Sequence, residues 1–334
     1  MKDRLNRNIR DLRISVTDRC NFRCRYCMPE ELYGEAYKFF NKDQVLTFEE
    51  INRIASIFIK LGVSKIRLTG GEPLVRSGID SLVKSLAQID KNIDLSMTTN
   101  GYLLEKYAKN LHENGLNRLT VSLDSLDSVI FQQMSGKNFD LNKVLGGLDR
   151  ASEVGFSNIK INCVVKKGIN DKGVIDLVDY CRGKNFILRF IEYMDVGTLN
   201  SWNKKYVLET KELKEIITNK FNILPVEKNY PSEVADRYEF EDGKGEIGFI
   251  SSVSNPFCMN CTRARISTDG RFVTCLFSNK GVDIKNHLRN GKTDEEIMQI
   301  ILRIWTNRDD KYSLERGTNS GKVTGKIEMF QLGG

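Results

Sequence analysis

Six short segments between residues 13 and 194 read as strands, and the stretches between them read as helices. The strands are expected over 13–17, 65–70, 95–100, 119–124, 159–165 and 187–194. This alternation constrains the chain more than any other feature, because repeated strand–helix units form a parallel sheet with right-handed crossovers. The clearest helix carries Ile51, Ile54, Ala55, Phe58 and Leu61 at helical spacing. Thr47 and Glu50 form a capping box before it, and Gly62 stops it. Further helices are expected over 79–89, 103–114, 127–134, 141–153 and 174–182.

The strand faces narrow the fold. Alternate residues of a strand point to opposite sides of the sheet. Lys65, Arg67 and Thr69 share one side, as do Arg13, Ser15 and Thr17, then Ser96, Thr98 and Asn100, then Thr120, Ser122 and Asp124, and also Lys160 and Asn162. Strands of an ordinary parallel sheet are buried on both sides and read as continuous apolar runs. Here one side is apolar, for helices, and the other is polar. A closed barrel interior fills with Val, Ile and Leu, so a polar lumen argues for an open, partial (β/α)6 TIM-like barrel with a ligand inside. The alternative, an edge sheet facing solvent, sits poorly with lysine and arginine in mid-strand. Beyond Pro225 the alternation stops. Residues 237–241 and 246–253 read as one hairpin, 263–268 and 271–277 as another, and a helix follows over 295–305. The expected division is a barrel over 1–225 and a C-terminal α+β region over 226–334.

The cysteines carry the chemistry. Of eight, six fall into two tight groups: Cys20, Cys24 and Cys27, then Cys258, Cys261 and Cys275. The N-terminus is charged and lacks the apolar stretch of a secretory signal, and no apolar run reaches the ~18 residues needed to span a bilayer. A cytoplasmic protein is therefore expected, in which clustered cysteines bind metal or react rather than form disulfides. Three thiolates cannot saturate a cubane iron–sulfur cluster, which takes four, so one iron stays open. Structural zinc would take three cysteines and a histidine, but His112 and His287 are distant in sequence.

The spacing Cys20-x-x-x-Cys24-x-Tyr26-Cys27, followed one strand later by Thr69-Gly70-Gly71-Glu72-Pro73, resembles the radical S-adenosylmethionine superfamily. The resemblance implies a [4Fe–4S] cluster whose open iron chelates the methionine amino and carboxylate groups of S-adenosylmethionine, releasing a 5′-deoxyadenosyl radical on reduction. The glycine pair lets backbone approach a ligand closely, and Glu72 can accept from its ammonium group. The second group, Cys258-x-x-Cys261 with Cys275, fits another open cluster, a zinc site, or a saturated cluster with a distant fourth cysteine. Cys163 and Cys181 read as core.

Arg263 and Arg265 lie two apart on one strand, so both face one way. With Arg13, Arg67 and Lys160 they would place several cations in the lumen. Arginine forks suit phosphate, and a desolvated cluster of them is costly without an anion. The alternative is that each pairs with a carboxylate such as Asp124 or Glu192. The net charge of +7 suits an anionic ligand, and no dense basic stripe marks a nucleic-acid binder.

The two triads, the interleaved arginines and the terminal Leu332-Gly333-Gly334 together resemble the molybdenum cofactor biosynthesis protein A family of that superfamily, over essentially the whole length. The resemblance implies a second [4Fe–4S] cluster in the C-terminal region and radical cyclisation of GTP to 3′,8-cyclo-7,8-dihydroguanosine triphosphate. It implies that Cys20, Cys24, Cys27, Arg263 and Arg265 form the catalytic set, and that Arg13, Arg67, Thr98, Lys160, Asn162, Arg189, Arg263 and Arg265 contact GTP. Tyr26, Gly70, Gly71, Glu72, Ser122 and Met194 are expected at S-adenosylmethionine. An electron donor such as reduced flavodoxin, a downstream cyclic pyranopterin monophosphate synthase, and a monomer or homodimer without nucleic-acid or membrane partners complete the expectation. The competing reading is another radical enzyme with an auxiliary cluster, acting on a peptide.

Overall fold

The computed structural model describes residues 1–197, 202–316 and 326–333. Strands β1 (Asp11–Ser15), β2 (Lys65–Thr69), β3 (Asp94–Thr99), β4 (Arg118–Ser122), β5 (Lys160–Val165) and β6 (Ile187–Glu192) pair in parallel, each with the next. Helices Phe48–Lys60, Ile79–Ile89, Leu104–Glu113, Ser128–Ser135, Leu141–Glu153 and Val174–Gly183 lie between them. The Thr47–Glu50 capping box forms. This is the partial (β/α)6 barrel that the alternation implies. β1 starts two residues earlier than the polar pattern suggests and ends at Ser15, because Val16 to Arg19 turn into the cysteine loop while still bonding to the end of β2.

The C-terminal strands extend the same sheet. β8 (Asp236–Phe240) and β9 (Glu246–Ile250) form one antiparallel hairpin, with β7 (Ile223–Val226) beyond it. β10 (Arg263–Ile266) and β11 (Arg271–Val273) form the other, with β12 (Val282–Asp283) beyond. β9 then pairs in parallel with β6, and β10 in parallel with β1. The strand order is β12-β11-β10-β1-β2-β3-β4-β5-β6-β9-β8-β7, so the barrel wall stays open between its edge strands. Pro225 sits in edge strand β7, where a missing N–H is tolerated. The β7–β8 connection folds beneath β1 and β2: Tyr230 lies 4.2 Å under the Arg10 guanidinium, and Thr262 donates to Ser232 at 3.1 Å.

The apolar strand faces and the helices share one core. Leu12, Ile14, Ile66, Leu68, Leu95 and Met97 meet Ile51, Ile54, Phe58, Leu82 and Leu86, all fully buried. Truncating one such aromatic to alanine costs about 3–5 kcal/mol. Cys163 and Cys181 are part of this layer. The opposite faces are free to carry charge because stability is supplied on the outside of the sheet.

Candidate active site

The first triad hangs on the loop after β1. Cys27 and Met28 both donate their N–H to the Cys24 carbonyl, at 2.9 and 2.7 Å, which winds Cys24 to Cys27 into one turn. Arg23 holds the turn from outside, donating to the Cys20, Phe22 and Tyr33 carbonyls at 2.7, 2.9 and 2.9 Å. Gly70 and Gly71 explain how the loop sits against β2. A Cβ on Gly71 would lie 2.3 Å from the Arg19 carbonyl oxygen, and one on Gly70, at φ +149, would lie 2.5 Å from that of Thr17. The glycine pair thus gives room first to the cysteine-loop backbone, where the sequence suggests close approach to a ligand. Gly71 and Glu72 N–H donate to the Thr17 and Arg19 carbonyls at 2.7 and 2.9 Å.

Glu72 is committed within the protein. Its carboxylate accepts from Leu74 N–H (3.0 Å), the Thr99 hydroxyl (2.7 Å) and Asn100 N–H (2.7 Å). Burial pushes it up to about 7 against those three donors. Asn100, held in this way, places its amide nitrogen 3.9 Å from Cys20 Sγ and 2.8 Å from Asn21 Oδ1. Tyr26 donates to Asp124 at 2.9 Å, and burial pushes Asp124 up to about 6. Burial likewise pushes Cys20 up to about 12, and Cys24 and Cys27 also upward. A thiolate in this setting calls for a compensating metal charge.

The second triad lies before β10 and after β11. Arg7 donates to the Cys258 carbonyl (2.8 Å) and Arg308 to that of Cys261 (2.7 Å). Both arginines converge on buried Asp3, at 2.6 and 3.4 Å. Arg263 donates to Cys261 Sγ at 3.2 Å. Although burial opposes it, Arg263 and Arg308 bring Cys261 down to about 6, whereas burial raises Cys275 to about 11. Among the described residues no three His, Cys, Asp or Glu side chains are gathered closely enough for a single metal ion.

Between the triads runs a ladder of cations. In register across three strands stand Arg265 of β10, Arg13 of β1 and Arg67 of β2. Neighbouring strands lie about 4.8 Å apart, and like charges directly opposite destabilise a sheet. One turn of the pleat below, Asp11 stands between Arg263 and Lys65, 3.8 Å from the lysine. Among the described residues, no carboxylate comes within 4.0 Å of Arg13, Arg67, Arg189, Arg263 or Arg265. Arg67 donates to the Thr98 and Thr120 hydroxyls (2.7 and 3.0 Å), and Arg189 to Asn162 Oδ1 (3.0 Å). Gly248, opposite Arg189, gives that side chain its space. Asp124 and Glu192 do not neutralise the arginines. Asp124 serves Tyr26 and Val164, and Glu192 accepts from Thr210, Val253 and Ser254. Burial pushes Arg13 and Arg67 down to about 9, helped by Arg67 and Arg263 around Arg13 and by Arg189 and Arg118 around Arg67.

All of this surrounds one cavity of about 300 Å³. It is lined by both triads, Tyr26, Gly70, Gly71, Glu72, Ser122 and Met194, and by Arg13, Arg67, Thr98, Asn162, Arg189, Arg263 and Arg265. Lys160 shares the polar face but does not line the cavity, because it stands at the start of β5, below the level of Asn162. Asn100, expected on the polar face of its strand, also lines the cavity, whereas Phe257, Arg308, Asp310 and Phe330 line it with no local signal in the sequence. Phe330 belongs to the helix Met329–Leu332 and packs edge-on against Tyr33 at 5.0 Å. Beyond it Arg265 donates to the Gly333 carbonyl. Gly333, at φ +71, fits against Thr69 where any Cβ would collide. Gly334 lies outside the described residues.

An open parallel barrel with a three-cysteine loop after β1 is the architecture of a radical S-adenosylmethionine enzyme. Residues 14–181 match the family described as Radical SAM superfamily, and residues 186–314 match Molybdenum Cofactor Synthesis C. Similar folds include Streptococcus suis SuiB bound to precursor peptide SuiA (TM-score 0.61, 19% identity, 95% of this chain and 68% of that one). Methylornithine synthase is another (TM-score 0.50, 14% identity, 63% and 62%). The chain is 48% identical to the GTP 3′,8-cyclase of Staphylococcus haemolyticus, over 100% of this chain and 99% of that one. It is 46% identical to the GTP 3′,8-cyclase of Staphylococcus epidermidis over the same shares. The chain belongs to the radical SAM superfamily and, within it, to the family of these GTP 3′,8-cyclases.

Proposed function

We propose that this chain cyclises GTP to 3′,8-cyclo-7,8-dihydroguanosine triphosphate, the first step of molybdenum cofactor synthesis. The observation that carries the reading is the Arg265–Arg13–Arg67 ladder, without carboxylate partners among the described residues, set between two cysteine triads on one cavity wall. Desolvated guanidiniums in a row call for a polyanion, and their forks match phosphate oxygens. The activity named for the full-length relatives agrees.

The donor sets fit the cofactors. Cys20, Cys24 and Cys27 would hold a [4Fe–4S] cluster with one iron left for S-adenosylmethionine, beside Tyr26, Gly70, Gly71, Ser122 and Met194. When bound, that pair supplies a 5′-deoxyadenosyl radical. Cys258, Cys261 and Cys275 would hold a second [4Fe–4S] cluster, with its vacant iron for the purine. Arg13, Arg67 and Arg265 neutralise the triphosphate, and Arg263 stays against Cys261. Thr98, Asn162 and Arg189 shape the wall, while Lys160 adds charge from below it. Glu72 acts through Asn100, which it orients beside Cys20. The barrel over 1–225 carries the reagent and the region over 226–334 the substrate cluster. The setting is cytoplasmic, with a flavodoxin-like electron donor, a cyclic pyranopterin monophosphate synthase downstream, and a monomer or homodimer as the working unit.

Anaerobically reconstituted protein, reduced and incubated with S-adenosylmethionine and GTP, is expected to yield 5′-deoxyadenosine and a cyclised nucleotide. The electron paramagnetic resonance spectrum of the reduced protein should show two signals, of which GTP changes one. Cleavage of S-adenosylmethionine with GTP recovered intact would sink the reading.

A further inference from the structure

Directly after Met194, at the exit of β6, one acidic side chain gathers three distant segments. The Asp195 carboxylate accepts from the Tyr312 hydroxyl at 2.5 Å and from Arg316 Nε at 2.9 Å. Lys326 Nζ lies 3.7 Å from that carboxylate and donates to the Asp195 carbonyl (3.3 Å) and the Tyr312 hydroxyl (2.8 Å). These groups are mostly withdrawn from solvent: the side chains of Asp195, Arg316 and Lys326 are 16%, 13% and 8% exposed. Tyr312 stacks on Phe277 at 4.3 Å, and Phe277 lines the cavity two residues beyond Cys275. Arg316 and Lys326 both lie over these two rings.

From Lys326 onward the chain runs into the active site. Ile327 N–H donates to the Ser278 carbonyl (3.1 Å), Thr268 N–H to the Gln331 carbonyl (3.1 Å), and Arg265 to the Gly333 carbonyl. The helix between them has only four residues, Met329–Leu332, too short to hold itself in water. Its seat rests on Phe330, on these few bonds and on the anchor at Lys326. Among the described residues one carboxylate there faces two cations, so its removal leaves Arg316 and Lys326 sharing a poorly hydrated site with no other carboxylate within 4.0 Å of either.

We propose that Asp195 is a positioning residue whose clasp on Lys326, Tyr312 and Arg316 seats the C-terminal segment 326–333 in the barrel and so presents the Gly333 carbonyl to Arg265. Asp195 touches no reacting group. It acts through the tail, and it ties the strand end that carries Met194 to the segment that reaches the cation ladder. In its activity arm this inference rests on the proposed GTP reaction; its structural arm does not.

The test is hydrogen–deuterium exchange of the reconstituted holoenzyme, read on peptides covering 326–333. Asp195→Asn and Lys326→Met are each expected to speed exchange there at least tenfold, and the double variant no further than either single one. Iron content and S-adenosylmethionine binding should stay at the wild-type level while kcat for GTP falls at least fivefold. Tyr312→Phe keeps the ring stack and removes only the hydroxyl; it should speed tail exchange about threefold, and it keeps the test decisive if Asp195→Asn does not fold. Tail exchange at the wild-type rate in the folded variants overturns the clasp. Faster tail exchange in the variants, in a protein whose wild type leaves GTP intact, instead fails the reaction and leaves the clasp standing.

Discussion

Replacing Arg67 with methionine should make the protein more stable and a poorer binder of GTP. Arg67 stands in register beside Arg13, and burial, then the nearby Arg189 and Arg118, push its guanidinium down. Its partners are the Thr98 and Thr120 hydroxyls, at 2.7 and 3.0 Å. Loss of these two neutral-acceptor bonds costs about 1–3 kcal/mol together. Against this stands the penalty of a poorly hydrated cation without a counter-ion among the described residues, several kcal/mol in a site of this kind. Methionine fills the same length of barrel wall without charge, so a net gain of about 1–3 kcal/mol is expected. Binding moves the other way, because truncating one partner of a buried charge-assisted contact costs about 2–5 kcal/mol. That corresponds to a Kd for GTP raised roughly 30-fold or more. Urea unfolding of the cluster-free protein reads the first quantity and anaerobic calorimetry with GTP the second. Arg237, bound to Glu246 at 2.6 and 2.9 Å, is the control: Arg237→Met should lose stability and leave Kd unchanged. An Arg67→Met variant that is less stable by more than about 1 kcal/mol yet binds GTP normally would make Arg67 a structural residue and refute the argument.

Gly71→Ala should be destabilised by about 1–3 kcal/mol and take up markedly less iron on reconstitution, since its Cβ would push the Arg19 carbonyl and the cysteine loop away. Iron analysis beside urea unfolding checks it; full iron at wild-type stability would contradict it. Glu72, raised to about 7 by burial, keeps its proton in the folded state over a range where the unfolded chain has lost it. Its contribution is therefore present below the unfolded value near 4.5 and falls away as pH rises through about 7. Glu72→Gln should flatten that part of the stability–pH curve, by up to about 1.4 kcal/mol per pH unit, and parallel curves for the two proteins would refute it. Deleting Gly333 and Gly334 should lower turnover at least tenfold while both clusters assemble, because Arg265 loses its carbonyl partner; unchanged turnover would mean that the tail only fills space.

Much of the fold is legible in the residues because it repeats at short range. The alternation of polar and apolar positions on β1 to β5 has a period of two, so Arg13, Arg67, Thr98 and Asn162 fall on one face whichever strands pair. The Thr47–Glu50 box and the apolar stripe from Ile51 to Leu61 define their helix in the same local way. What cannot be read depends on contacts between distant segments. That Arg265 stands beside Arg13 results from β10 joining the edge of β1, some 250 residues away in the chain. Lys160 stands on the expected face at a different depth, since alternation gives sides and not heights. Glu72 reads in the sequence as reaching for a ligand, and it does line the cavity, but a motif cannot show that Leu74, Thr99 and Asn100 also donate to its carboxylate. Arg308 brackets the second triad with no neighbouring motif to reveal it.

The direction of the strands explains why two triads so far apart in sequence serve one cavity. Cys20, Cys24 and Cys27 leave from the C-terminal end of β1. Cys258 and Cys261 precede the N-terminal end of β10, which runs parallel to β1, and Cys275 comes after β11, which runs back towards that same end. The triads therefore leave from opposite ends of the strands, and the four-residue rise of β1 sets those ends about 13 Å apart. The Arg265–Arg13–Arg67 row crosses the middle of that interval. An elongated anion held at the row can present one part to each end at once, whereas two triads on the same end would compete for the same atoms. A hairpin packed antiparallel against β1 would have brought both triads to one mouth. Parallel addition of β10 thus turns a six-stranded wall into a cavity with a cysteine triad at each end and charge between them.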